Sequence, residues 1–72
     1  VYIVPNLVSE YFEIKNAPDE FGYTLFNAAG QILKQVNRTT NRLIHVSNFE
    51  SGVYFMAIQN GSSQKTLRWI KY

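Results

Sequence analysis

Seventy-two residues with a hydrophobic fraction of 46% and a net charge of +2 are enough for one small domain built on a single core. A chain of this length hides only about 60% of its unfolded surface, so modest stability is expected. The lack of cysteine excludes disulfides and thiol or cysteine–metal chemistry, and no run approaches the ~20 apolar residues of a membrane-spanning helix.

Apolar and polar residues alternate over short runs, and turn-forming residues recur every ten positions or so, a pattern of strands rather than helices. Strands are predicted near residues 1 to 4, 10 to 15, 22 to 27, 31 to 36, 42 to 46, 53 to 60 and 64 to 71. The first, Val1-Tyr2-Ile3-Val4-Pro5, does not have the build of a signal peptide. With no initiator methionine, the chain reads as a piece of a longer precursor, and any export signal would lie elsewhere in it. Asn16 to Gly22 and Asn37 to Asn41 are polar loops suited to carrying the chain between two sheets. Asn27-Ala28-Ala29-Gly30 and Asn60-Gly61-Ser62-Ser63 are hairpin turns that set their flanking strands antiparallel. Seven such strands predict an all-β fold, a small sandwich with its hairpin strands antiparallel.

Between the strands at 42 to 46 and 53 to 60 lies Ser47-Asn48-Phe49-Glu50-Ser51-Gly52. Ser47 followed three residues later by Glu50 is a short capping box, which predicts one helical or 3₁₀ turn with Phe49 tucked inward beneath it. Gly52 stands where the backbone leaves the turn and enters a strand, a place that asks for positive φ.

Period-two alternation assigns Phe12, Ile14, Tyr23, Leu25, Ile32, Ile44, Val46, Tyr54, Met56, Ile58, Leu67 and Trp69 to the core, with Phe49 closing one end. The opposite registers hold Phe26, Leu33, Phe55 and Ile70, so several strands are apolar on both faces. Two readings stand: an exposed apolar patch of the kind that marks an interaction surface, or cover by loops and terminal strands.

A catalytic set is not apparent. His45, the lone histidine, with scattered carboxylates is a poor zinc ligand set and fits an exposed strand residue. Ser47, Ser51, Ser62 and Ser63 all fall in turns, where local hydrogen bonding explains a serine better than nucleophilic chemistry does. Nothing brings two of Glu10, Glu13, Asp19, Glu20 and Glu50 into one cleft for glycoside hydrolysis, and the four glycines are isolated turn residues rather than a phosphate loop. No enzyme, metal or cofactor is expected. Residues 1 to 20 balance to −3 and residues 21 to 72 to +5, a surplus that either steers toward acidic partners or is an ordinary solvated surface. The aromatic residues follow strand alternation, against a nucleic-acid stacking platform. An aromatic sugar-binding platform from Tyr2, Tyr11, Phe55 or Trp69 is one reading of the exposed rings, with a purely structural spacer behind it. Asn37-Arg38-Thr39 and Asn60-Gly61-Ser62 match the glycosylation sequon only as chance turn composition does.

Leu43-Ile44-His45-Val46-Ser47-Asn48-Phe49-Glu50-Ser51-Gly52-Val53-Tyr54 resembles the "dl-s-n-L-a-s-G-v-Y" segment of the type A C-terminal sorting domains of the type IX secretion system, the export route of Bacteroidetes. Three further segments agree in order and spacing. Val4-Pro5-Asn6-Leu7-Val8-Ser9-Glu10-Tyr11-Phe12-Glu13-Ile14 is similar to that family's opening "y-P-N-P-v-s-d-x-l-x-I", with Leu7 in place of the second proline. Tyr23-Thr24-Leu25-Phe26-Asn27-Ala28-Ala29-Gly30-Gln31-Ile32-Leu33 is similar to its "v-x-l-y-d-x-x-G-k-x-v", and Leu67-Arg68-Trp69-Ile70-Lys71-Tyr72 to its basic terminal strand. The resemblance spans nearly the whole chain, so residues 1–72 are expected to form one C-terminal sorting domain.

The resemblance implies a small immunoglobulin-like β-sandwich of about seven antiparallel strands, acting as a signal that passes its cargo from the periplasm across the outer membrane to the cell surface or medium. It implies recognition by the translocon and an outer-membrane shuttle protein, then removal by a sortase-like peptidase that anchors cargo to lipopolysaccharide. The family motif falls on Pro5, Asn6, Gly30, Gly52, Tyr54 and Lys71. Of these, Pro5, Gly30 and Gly52 are expected to make the fold, whereas Arg68, Ile70, Lys71 and Tyr72 form the expected partner-binding surface. A terminal strand offers backbone groups and a basic face for strand addition, and the same open edge would allow a homodimer.

Overall fold

A computed structural model describes residues 1–5 and 7–72. Eight strands account for its regular structure: β1 (Tyr2–Val4), β2 (Leu7–Val8), β3 (Tyr11–Lys15), β4 (Phe21–Asn27), β5 (Ile32–Thr39), β6 (Leu43–His45), β7 (Gly52–Asn60) and β8 (Ser63–Lys71). They form two sheets, one in the order β1-β3-β6 and the other β2-β8-β7-β4-β5. The buried side chains of both turn toward a shared interior, so the expected all-β sandwich is what the chain makes.

All seven predicted strands are present, and both hairpins join antiparallel neighbours, β4 to β5 and β7 to β8. The eighth, β2, was not expected. It has two residues and runs parallel to the end of β8, pairing Leu7 with Ile70 and Val8 with Lys71, so the sandwich is not wholly antiparallel. Alternation cannot reveal a two-residue strand, because a period needs more than one repeat.

Two of the crossings between sheets, β3 to β4 and β5 to β6, fall where the polar loops were predicted, although β5 absorbs Asn37 to Thr39 and leaves only residues 40–42 as connection. Asn41 accepts a hydrogen bond from the Leu43 amide (3.0 Å) and donates its own amide to the Thr39 hydroxyl (3.0 Å), the local bonding that favours Asn and Thr in turns. Arg42 ties this crossing to the other one. Its guanidinium donates to the Pro18 carbonyl (2.7 Å) and lies 5.9 Å over the Phe21 ring.

Most of the predicted core is buried: Phe12, Ile14, Tyr23, Leu25, Ile44, Val46, Tyr54, Met56, Ile58 and Trp69, with Phe49 and Leu67 packed partly against them. Ile3, Val8 and Phe21 join them. Ile32 does not; it is 60% exposed. The cause is a register shift between Leu25 and Phe26, where β5 steps from Lys34 to Ile32 while β4 advances one residue. The bulge sets Ile32 opposite outward-facing Phe26 and reverses the face that strict alternation assigns to it.

Candidate functional site

The Val46 to Tyr54 segment is a cap on the core. Its turn is closed by a single hydrogen bond from the Phe49 amide to the Val46 carbonyl (3.0 Å), an i→i+3 bond of the kind that closes one 3₁₀ turn. Among the described residues neither the Ser47 hydroxyl nor the Glu50 carboxylate makes a hydrogen bond, so the capping box is not formed. Tyr54 does the fastening instead. Its hydroxyl donates to the Glu50 carbonyl at 2.6 Å, holding the turn to the strand that follows, as the tyrosine corner of immunoglobulin-type sandwiches does. The Tyr54 ring stacks on Trp69 (4.7 Å, 17°), Phe49 meets both rings at 5.3 and 5.7 Å, and Phe12 meets Trp69 at 5.0 Å. Gly52 enters β7 with φ +153°.

Sequence-remote segments of the resemblance meet at one end of the molecule. β8 carries β2 on one side and β7 on the other over Ile70 and Lys71, and the Tyr72 amide donates to the Val8 carbonyl at 3.0 Å. The backbone at the strand's tip is therefore paired on both sides. The open edge predicted there lies instead along Ser63 to Trp69, which only β7 flanks. Of the expected contact residues, Arg68 is exposed, Ile70 half-buried, Lys71 only 9% exposed and Tyr72 65% exposed. Tyr72, Pro5, Leu7, Glu10 and Tyr11 line a shared cleft of about 450 Å³. Asn6 lies outside the described residues, and Gly30 sits in the β4–β5 turn, remote in sequence from this end, where its amide donates to the Asn27 carbonyl (2.9 Å).

The outer face of the larger sheet bears the apolar patch. Ile32 pairs with Phe26, Phe26 with Phe55, Val53 with Ile70 and Ile70 with Leu7, each at least partly exposed. Phe26 and Phe55 stack at 5.7 Å. The terminal strand β2 adds Leu7 to this surface rather than covering it.

Two chemical readings lose their residues. Trp69, a ring considered for a sugar platform, is fully buried, and Phe55 is stacked on its neighbour, leaving Tyr2 and Tyr11 on different strands of the smaller sheet. Tyr11 faces His45 at 5.8 Å. Glu13 is engaged by Lys15 (3.2 Å) and Glu20 by Arg38, and among the described residues no three His, Asp or Glu side chains gather as a metal site. Among the described residues no helix is long and apolar enough to cross a membrane.

The fold is a small all-β sandwich with an aromatic cluster centred on Trp69 in its core and with β2 and the last strand, β8, joined at one surface. Compared with models of known families, residues 2–72 match the secretion system C-terminal sorting domain, and the chain belongs to that type IX family. A search of curated proteins returns no match. Its members are secretion signals rather than catalysts, and their export leads across the outer membrane to the cell surface or the medium. The sorting signal engages the secretion machinery.

Proposed function

We propose that residues 1–72 act as one removable address that is read in the periplasm by the translocon and an outer-membrane shuttle protein. A sortase-like peptidase then cuts the domain away and attaches its cargo to lipopolysaccharide. The family match over residues 2–72 carries this reading. The surface we assign to recognition is the terminal one, where Arg68 and Tyr72 present side chains while Ile70 and Lys71 lock the strand between β2 and β7.

The domain is not a catalyst in this reading; its chemistry is that of a substrate. Its contacts are side-chain contacts at the tip, since the backbone groups there are already paired. The test fuses residues 1–72 to the C-terminus of a periplasmically exported fluorescent protein in hosts with and without an intact type IX system. Fluorescence beyond the outer membrane only in the intact host is expected. Retention of a folded fusion in the periplasm of both hosts would refute the signal.

A further inference from the structure

β5 is an edge strand along its whole length of 8 residues, with β4 on one side and, among the described residues, no strand on the other. Such an edge presents a row of unpaired N–H and C=O groups, a template for another strand. The remaining edges of the described residues are poorer. β1 and β6 have 3 residues each, and the free part of β8 is polar at Ser63-Gln64-Lys65-Thr66.

Charge says which strand fits. The five strands of the larger sheet contain Lys34, Arg38, Lys65, Arg68 and Lys71 and not one carboxylate. Every acidic residue of the chain lies in the smaller sheet or in a connection. Arg38 is already paired with Glu20, so the cation this edge offers is Lys34. A second copy pairing β5 to β5 about Lys34 would bring that charge against itself, and like charges across a ladder are destabilising. At the other end, exposed Ile32 continues the Phe26–Phe55 patch to the edge.

We infer that β5 is a strand-addition site for an extended, proline-free, carboxylate-bearing segment of a partner protein. A partner carboxylate faces Lys34, and a partner apolar side chain lies beside Ile32, extending the Phe26–Phe55 patch. Main-chain hydrogen bonds supply the affinity and these two side chains the selectivity. The site is separate from the terminal surface, so it does not depend on how that surface is read.

The test uses the full chain in solution with a synthetic 8-residue peptide of alternating Glu and Val, the length of β5. A Lys–Val counterpart serves as control, and amide hydrogen exchange is followed by NMR. The acidic peptide is expected to slow exchange at alternate amides within Ile32–Thr39 and to shift the Phe26 and Ile32 signals. The control is expected not to bind, and Lys34→Glu, a change of an exposed side chain, to weaken binding about tenfold. Methylating every second peptide amide on one edge is expected to abolish binding, and on the other edge to leave it intact. Protection at Ser63–Leu67 instead, equal binding of the lysine peptide, or indifference to methylation on both edges would overturn the inference. So would protection of β5 that appears with protein concentration and no peptide, which would make a second copy the occupant.

Discussion

Gly22 is where the larger sheet is most sharply constrained. A Cβ built on it would stand 2.5 Å from the Asn37 carbonyl oxygen and 3.1 Å from that of Val36, where ordinary contact begins at 3.4 Å. Both obstacles are backbone atoms of β5, so no rotamer change can clear them. The register shift between Phe21 and Tyr23 is what brings β5 so close. The φ of Gly22 lies outside the left-handed region, so Gly22→Ala is a test of space alone. Relieving the clash means moving β5 away, at an overpacking cost of about 1–3 kcal/mol and roughly one further net hydrogen bond of about 1 kcal/mol. Against this, alanine restricts the unfolded chain and returns about 0.4–1 kcal/mol. A net loss of about 2 kcal/mol is expected, or ~8–16 °C in Tm for a domain of this size. Thermal and urea unfolding measure it, and exchange at 36–39 should rise before that elsewhere. If Gly22→Ala melts within about 2 °C of the parent, or higher, the close approach of β5 is not a fixed feature and the reasoning fails.

Trp69→Ala removes the centre of the aromatic cluster and is expected to cost about 3–5 kcal/mol, enough to unfold much of a small domain at 37 °C by circular dichroism; a cooperative, near-parental melt would contradict that centrality. Tyr54→Phe keeps the ring stack and deletes only the bond to the Glu50 carbonyl, so urea unfolding should show a loss of about 0.5–1.5 kcal/mol. Gly52→Val, placed at φ +153°, is expected to cost roughly 1 kcal/mol or more, although a Cβ there meets nothing nearer than the Tyr54 ring at 4.0 Å. The penalty is therefore conformational, and Gly52→Ala should show most of it.

Alternation reported the strands and most of the core because burial on one face writes period two into the sequence. It reported Phe12, Ile14, Leu25 and Met56 well for that reason. It misplaced Ile32 because a bulge adds a residue to one strand only, and the added residue resembles any other. Lys71 reads as exposed from its charge, yet inward-facing Trp69 two residues earlier gives the better indication, since i and i+2 share a face. The Ser47–Glu50 spacing pointed to a cap, whereas the fastening comes from Tyr54, whose bond to a carbonyl leaves no mark beyond the presence of a tyrosine. The junction of β2 with β8 was least legible of all. It joins residues more than sixty positions apart through two pairs, and only the resemblance places both segments among the family's signatures.

That junction makes the address hard to separate from the fold, and it decides how the terminal surface must be tested. Deleting Lys71-Tyr72 removes the partner of Val8 and the Tyr72–Val8 hydrogen bond, half of the ladder that holds β2. Val8 is fully buried, and exposing a valine side chain costs up to about 1.5–3 kcal/mol. A lost export signal after that deletion would thus mix a missing contact with a loosened domain. Arg68→Glu with Tyr72→Ala avoids this, because both side chains are exposed and the backbone pairs remain. The double variant is expected to melt within about 0.5 kcal/mol of the parent and to leave a fused cargo in the periplasm. Export at the parental rate by a variant that is folded would remove the terminal surface from recognition, while leaving the membership of the chain in its family untouched.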